Sequence, residues 1–157
     1  QADIKLPYLQ VNPYAFEPAI APHLAAKQVG ETISLTVLES QFTAMRLQAD
    51  AVVVEGAGGW LVPLNDQQTI ADLAKALNLP VVLVVAIKLG CINHALLTVQ
   101  AIADSGLKLV GWVANDFLDD SQSTAIIQSL KQRIAAPCLG IVPKLAEDED
   151  ASVYLTL

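Results

Sequence analysis

The sequence predicts an α/β fold, a parallel β-sheet with helices on both faces. Short Val-rich apolar runs recur at 51–54, 81–86, 109–114 and 138–142, and such runs suit strands buried on both faces. Segments of helical period lie between them. Strand and helix therefore alternate, which is the pattern of right-handed β-α-β crossovers.

Residues 1–22 read as irregular, with prolines at 7, 13, 18 and 22. Ser34 can cap a helix running to Gln48 that buries Leu35, Leu38, Phe42, Met45 and Leu47. A strand is predicted over Ala51–Val54, followed by a Gly- and Pro-rich loop from Glu55 to Asp66. Thr69 can cap a second helix, Ile70–Leu77, which Asn78-Leu79-Pro80 ends. The next strand is Val81–Ala86. A helix over Cys91–Asp104 places Ile92, Ala95, Leu96, Val99, Ile102 and Ala103 at helical spacing, and Gly106 suits the position just past its end. A third strand is predicted over Leu109–Ala114, a fourth helix over about Ser121–Ile134, and a fourth strand over Cys138–Val142. An acidic tail follows.

The 157 residues, 54% of them hydrophobic, are enough for one domain with its own core. No apolar run reaches the roughly 18–20 residues needed to span a bilayer. The net charge is −7 with only 9 Lys and Arg and no basic cluster, which argues against nucleic acid or acidic lipid as partners. Cys91 and Cys138 lack metal-ligand spacing and read as reduced thiols of a cytoplasmic protein. No signal peptide is visible.

In such sheets ligands bind beyond the carboxyl ends of the strands, so the strand ends are where chemistry is expected. After the first predicted strand comes Glu55-Gly56-Ala57-Gly58-Gly59-Trp60. A carboxylate there can hold Mg2+ beside nucleotide phosphates, and the glycines let backbone approach a ligand; a surface Glu opening a tight turn reads equally well. After the second comes Lys88-Leu89-Gly90-Cys91-Ile92-Asn93-His94, running into a helix whose first N–H groups attract a carboxylate or phosphate. The alternative is an ordinary helix start with a buried Cys. His94 reads as a packing or capping residue, because nothing nearby completes a metal site with Cys91. After the third, Asn115 offers both a donor and an acceptor to a purine edge, or simply forms a turn. Trp112 falls inside that strand and reads as core. After the fourth, Pro143 and Leu145-Ala146-Glu147 form either a nucleotide-pocket wall or a surface tail.

The motifs VVVEGAGGW, VAIKLGCINHALLT and GWVANDF occur together and in this order, behind an upstream VNPYAFEPAIAPH. The combination resembles the dethiobiotin synthetases over nearly the whole chain. VEGAGG alone is shared with cobyric-acid-type amide-forming enzymes, whereas KLGCINHA and WVAND narrow the match. The resemblance implies a P-loop NTPase-like fold acting as a homodimer. It also implies an ATP- and Mg2+-dependent reaction of CO2 with 7,8-diaminononanoate: one amine becomes a carbamate, ATP phosphorylates it, and the second amine closes the ureido ring. By motif, Glu55 matches the Mg2+-binding acid, and Gly56, Ala57, Gly58 and Gly59 lie beside phosphates and substrate. Gly90, Cys91, Ile92 and Asn93 match the helix start that holds the substrate's carboxylate tail across the dimer interface. Asn115 matches an adenine contact, and Pro143 and Glu147 the adenosine-side segment. Ala21-Pro22-His23 aligns with a segment near the substrate, although Ala21 stands where a hydroxyl is usual. Lys144 stands where some members carry an aromatic residue. The reaction needs charge neutralisation and alignment rather than a covalent nucleophile.

No G-x-x-x-x-G-K-[ST] occurs in the 157 residues. In the resembled family the phosphate loop, a further Lys and a second metal-site Asp precede the segment matched here. The expectation is therefore the major C-terminal part of one such domain, lacking its N-terminal P-loop βα units, inactive and poorly soluble alone. Two other readings remain: a non-catalytic paralogue that keeps the dimer and carboxylate-binding surface, and a cobyric-acid-type amide ligase.

Overall fold

A computed structural model of the chain describes residues 4–116 and 122–156. The chain forms two compact units, residues 1–78 and 79–157.

The N-terminal unit is built from helices. A short helix α1 (Tyr8–Val11) and α2 (Pro22–Gln28) lie in the stretch expected to be irregular. Pro22 occupies the first turn of α2, where its missing N–H costs nothing and its fixed φ suits the helix. The prolines that suggested irregular chain here start both short helices: Pro7 is the N-cap of α1, and Pro22 opens α2. Helix α3 (Leu35–Arg46) begins after Ser34 as expected, and Phe42 is buried on it. Leu47, expected to be buried, lies just past the helix end and is 86% exposed. Helix α4 (Ile70–Leu77) has the predicted limits. The Asp72 carboxylate accepts bonds of 2.8 Å from both the Thr69 N–H and the Thr69 hydroxyl. Asn78 closes α4 in the left-handed conformation. The core of this unit gathers Ala26, Ile33, Leu64 and Leu73.

Ala51–Val54 does not form a strand, and Val53 is 94% exposed. A β-branched run becomes a strand only where a neighbour takes its N–H and C=O groups, and no described residue pairs with it.

The C-terminal unit holds a three-stranded parallel sheet in the order β1 (Val81–Ala86), β2 (Leu109–Asp116), β3 (Cys138–Pro143), where four strands were expected. Helix α5 (Cys91–Asp104) links β1 to β2, and α6 (Ser123–Arg133) links β2 to β3; the expected start of α6 at Ser121 lies outside the described residues. Gly106 has φ 79° just past α5, as the sequence indicated. Both helices pack on one face, where Leu83, Val85, Trp112 and Ala114 meet Cys91, Ala95, Ile127 and Leu130. Crossovers of one hand that step in one direction along a sheet must cover the same face. Within this unit the described helices cover one face, and Val82 and Val84 of the other face are exposed. Trp112 is fully buried, in keeping with its reading as core.

Beyond β3 the chain turns back. A 3-10 turn at Ala151–Tyr154 leads Leu155 into an antiparallel bridge with Gly140, and the Thr156 N–H donates to the Leu139 carbonyl at 2.7 Å.

Candidate functional site

Alternation along β2 turns Trp112 and Ala114 toward the helices and Val113 and Asn115 to the opposite face. There an open groove of about 490 Å3 is lined by Val84, Val113, Asn115, Val142 and Pro143, with Lys144, Leu145 and Ala151 as its outer wall. Asn115 was expected just beyond the strand. It lies within it, because β2 runs two residues further than Ala114, paired with Ala86 on one side and Val142 on the other. The Ile87 N–H donates to the Asn115 carbonyl at 2.9 Å, so the backbone carrying this amide is held from a neighbouring strand. An amide above an apolar floor, at the carboxyl edge of a parallel sheet, suits a flat heterocycle with paired donor and acceptor groups.

The rest of the wall is not what sequence spacing indicated. Pro143 and Leu145 line the groove, whereas Ala146 and Glu147 are exposed and do not. Glu147 falls in a turn, from which the chain heads toward the 3-10 segment and brings Ala151 to the groove instead. Val84 and Ala151 gave no sequence signal, one being an ordinary strand Val and the other a tail Ala.

Two hydrogen-bond sets hold that tail. The Tyr154 hydroxyl donates to Glu149 Oε1 at 2.6 Å, and the Ala146 N–H donates to Glu149 Oε2 at 3.2 Å. The Tyr154 hydroxyl, with the Ala146 N–H, holds the Glu149 carboxyl below its usual range, and Glu149 in turn pushes the Tyr154 phenol up. The Asp150 carboxylate accepts from the Ser152 N–H at 2.9 Å and from its hydroxyl at 2.8 Å.

Gly90, the N-cap of α5, has φ 87°, a conformation that suits glycine. The Cys91 N–H closes a turn onto the Lys88 carbonyl at 3.0 Å, which leaves the Ile92 and Asn93 N–H groups at the open end of the helix. Cys91 is buried, and Asn93 and His94 are exposed. This helix start follows the carboxyl end of β1 directly, but Gly90, Cys91, Ile92 and Asn93 do not line the groove. Among the described residues no cluster of three or more His, Cys, Asp or Glu side chains could hold a metal ion.

In the N-terminal unit Glu55, Gly56, Ala57 and Gly58 are exposed and Gly59 is partly so. The glycines there have two different reasons. A Cβ at Gly56 would come within 2.9 Å of Ile70 Cγ2, and one at Gly58 (φ 89°) within 2.8 Å of Val62 Cγ2. These two let the turn pack on its own unit, and Gly59 alone has open space where a ligand could approach. The segment continues into an antiparallel return: Ile70 N–H to Val62 carbonyl and Ala71 N–H to Trp60 carbonyl, both 2.9 Å. Asn65 pins its tip, donating to the Ile33 carbonyl at 2.9 Å and accepting from the Gln67 and Gln68 N–H groups.

His23, in the segment aligned near the substrate, lines a polar hollow of about 320 Å3 with Asn65, Asp66, Gln67 and Thr69. Its Nδ1 is buried with no hydrogen-bond partner among the described residues. Ala21 is the N-cap of α2 and supplies no side-chain cap.

A family model described as an AAA domain matches residues 1–152. An ATP-dependent dethiobiotin synthetase BioD of Cellvibrio japonicus is 54% identical over 161 residues, covering 100% of this chain and 70% of that protein. The like-named protein of Pseudomonas aeruginosa strain LESB58 is 53% identical over 156 residues, covering 98% of this chain and 68% of that one. That of Xanthomonas campestris pv. campestris strain 8004 is 52% identical over 139 residues, covering 87% of this chain and 61% of that one.

Proposed function

Because the chain belongs to the ATP-dependent dethiobiotin synthetase family, we propose that it carries the adenine-, metal- and substrate-tail-binding residues of a ligase of biotin synthesis. The reaction is the ATP-dependent carboxylation and ring closure of 7,8-diaminononanoate with CO2. The observation that supports it most directly is the groove, which joins Asn115, Pro143 and Lys144 at the carboxyl edge of the sheet.

Asn115 reads the adenine edge, with Val84 and Val113 as the apolar floor beneath the base. Gly90, Ile92 and Asn93 offer the start of α5 to the substrate carboxylate, where N–H groups and the helix dipole favour negative charge. In this proposal that contact is made across a homodimer. Glu55 is the metal-binding acid. Its exposed carboxylate fits a cation that keeps several waters and takes its remaining ligands from phosphates, as Mg2+ does. Bound there, Mg2+ would supply charge neutralisation to the transferring phosphoryl group. The 157 residues contain no G-x-x-x-x-G-K-[ST], so we also propose that this chain by itself turns over ATP negligibly.

Calorimetric titration of the chain with ATP and Mg2+ tests the reading. Wild type is expected to bind ATP, and Asn115→Ala to lose roughly 10–100-fold in affinity, the cost of one or two unmade hydrogen bonds. An unchanged affinity in Asn115→Ala would remove the base-reading role. Dethiobiotin formation by the chain alone at ordinary enzyme rates would overturn the proposed inactivity.

A further inference from the structure

Asp116 and Ser123 are the buried polar side chains of the described structure, 7% and 3% exposed, and they are bonded to each other. The Ser123 hydroxyl donates to Asp116 Oδ1 at 2.8 Å. Asp116 is the last residue of β2 and Ser123 the first of α6, so the bond ties the end of the strand to the start of the helix. Burying two polar groups among apolar neighbours carries a desolvation cost that only their hydrogen bonds offset. What such a bond adds over apolar packing is direction.

Asp116 and Asn115 are consecutive on the strand, so their side chains leave opposite faces. The two residues share one peptide, so a bond that fixes Asp116 also limits how far the Asn115 backbone, and with it the amide in the groove, can shift. Pro143 lies opposite Asp116 in register, at the last paired position of the two strands. An amide distinguishes adenine from guanine only while its donor and acceptor keep one orientation, because a half-turn exchanges N–H2 and C=O.

We propose that Asp116 and Ser123 are positioning residues that set the base selectivity of the groove by holding Asn115 in one orientation. The proposal rests on the reading of that groove as a purine site.

The test is titration of the full chain with ATP and, separately, GTP, in wild type, Ser123→Ala, Ser123→Thr and Ser123→Cys, with a thermal melt of each. Wild type is expected to prefer ATP. Ser123→Ala is expected to lose most of that preference, roughly tenfold and mainly through weaker ATP binding. Ser123→Thr keeps the hydroxyl and is expected to retain the preference. Ser123→Cys, a weaker donor, is expected to fall between the two, and it carries the test should Ser123→Ala fail to fold. A preserved ATP-to-GTP ratio in folded Ser123→Ala or Ser123→Cys would overturn the inference and leave the groove reading standing. So would an equal loss for both nucleotides alongside a lower melt, which is the signature of a merely structural bond. A wild-type chain that does not distinguish the two bases would overturn the groove reading and the inference with it.

Discussion

Gly140 and Tyr154 meet through backbone alone: a Cβ on Gly140 would overlap the Tyr154 carbonyl oxygen, with Leu155 Cδ2 2.9 Å away. The tail that walls the groove through Ala151 is seated on the third strand by this contact. Gly140→Ala is expected to lift the tail and cost about 1–3 kcal/mol, the usual range for overpacking. Urea unfolding measures the cost. Faster amide exchange at Thr156, whose N–H is bonded to Leu139, reports the lifting.

The seat of that tail is also expected to depend on pH from both sides. The Glu149 carboxyl is lowered from its ordinary 4.5, so its contribution is present above that value and lost as pH falls through the lower folded value. The Tyr154 phenol is raised from its ordinary 10.0, so its contribution is present below that value and lost as pH rises through the higher folded one. Protection of the Thr156 amide, corrected for intrinsic exchange, should be greatest between these limits. Tyr154→Phe should flatten the profile; a curve of the same shape in that variant would show that the pair does not hold the tail.

Asp72 is expected to stabilise the N-terminal unit through the start of α4. Its carboxyl is lowered from 3.8 to about 2, first by Lys75 at 2.7 Å and then by the Thr69 N–H and hydroxyl. A depressed carboxyl stabilises above its unfolded value, and that contribution disappears as pH falls from about 3.8 through about 2. Asp72→Ala should cost about 1 kcal/mol near neutrality, in the range of cap removal, and nothing measurable once the wild-type group is protonated. Chemical denaturation of both proteins across that pH range checks the convergence.

Glu55 is exposed, so Glu55→Gln should leave the melting temperature unchanged. If Glu55 holds the metal, the same change should abolish the part of ATP affinity that depends on Mg2+. Parallel titrations with and without Mg2+ read this directly, and an intact Mg2+ effect in the variant would place the cation elsewhere.

Most of the second half of the chain was legible in its residues. Val81–Ala86 and Cys91–Asp104 have the limits that run length, helical spacing and Gly106 indicated. Thr69 and Asn78 marked both ends of α4. Such signals are local, because caps and periodicity act within a few residues. Asn115 was identifiable as a candidate by its place at the end of an apolar run, where a turn-forming Asn was the alternative.

What the amino-acid sequence by itself determined is therefore which segments become helix or strand where their own residues decide the matter, together with the motifs that mark the family. Tertiary structure alone decided whether Ala51–Val54 becomes a strand, since a ladder requires a partner that no local pattern supplies. It alone placed both helices of the sheet on one face, brought Val84 and Ala151 to the same groove as Asn115, and joined Asp116 to Ser123. These are relationships between residues far apart in the chain or turned to opposite faces. They arise from strand order, register and close packing, which the order of amino acids specifies only through the fold as a whole.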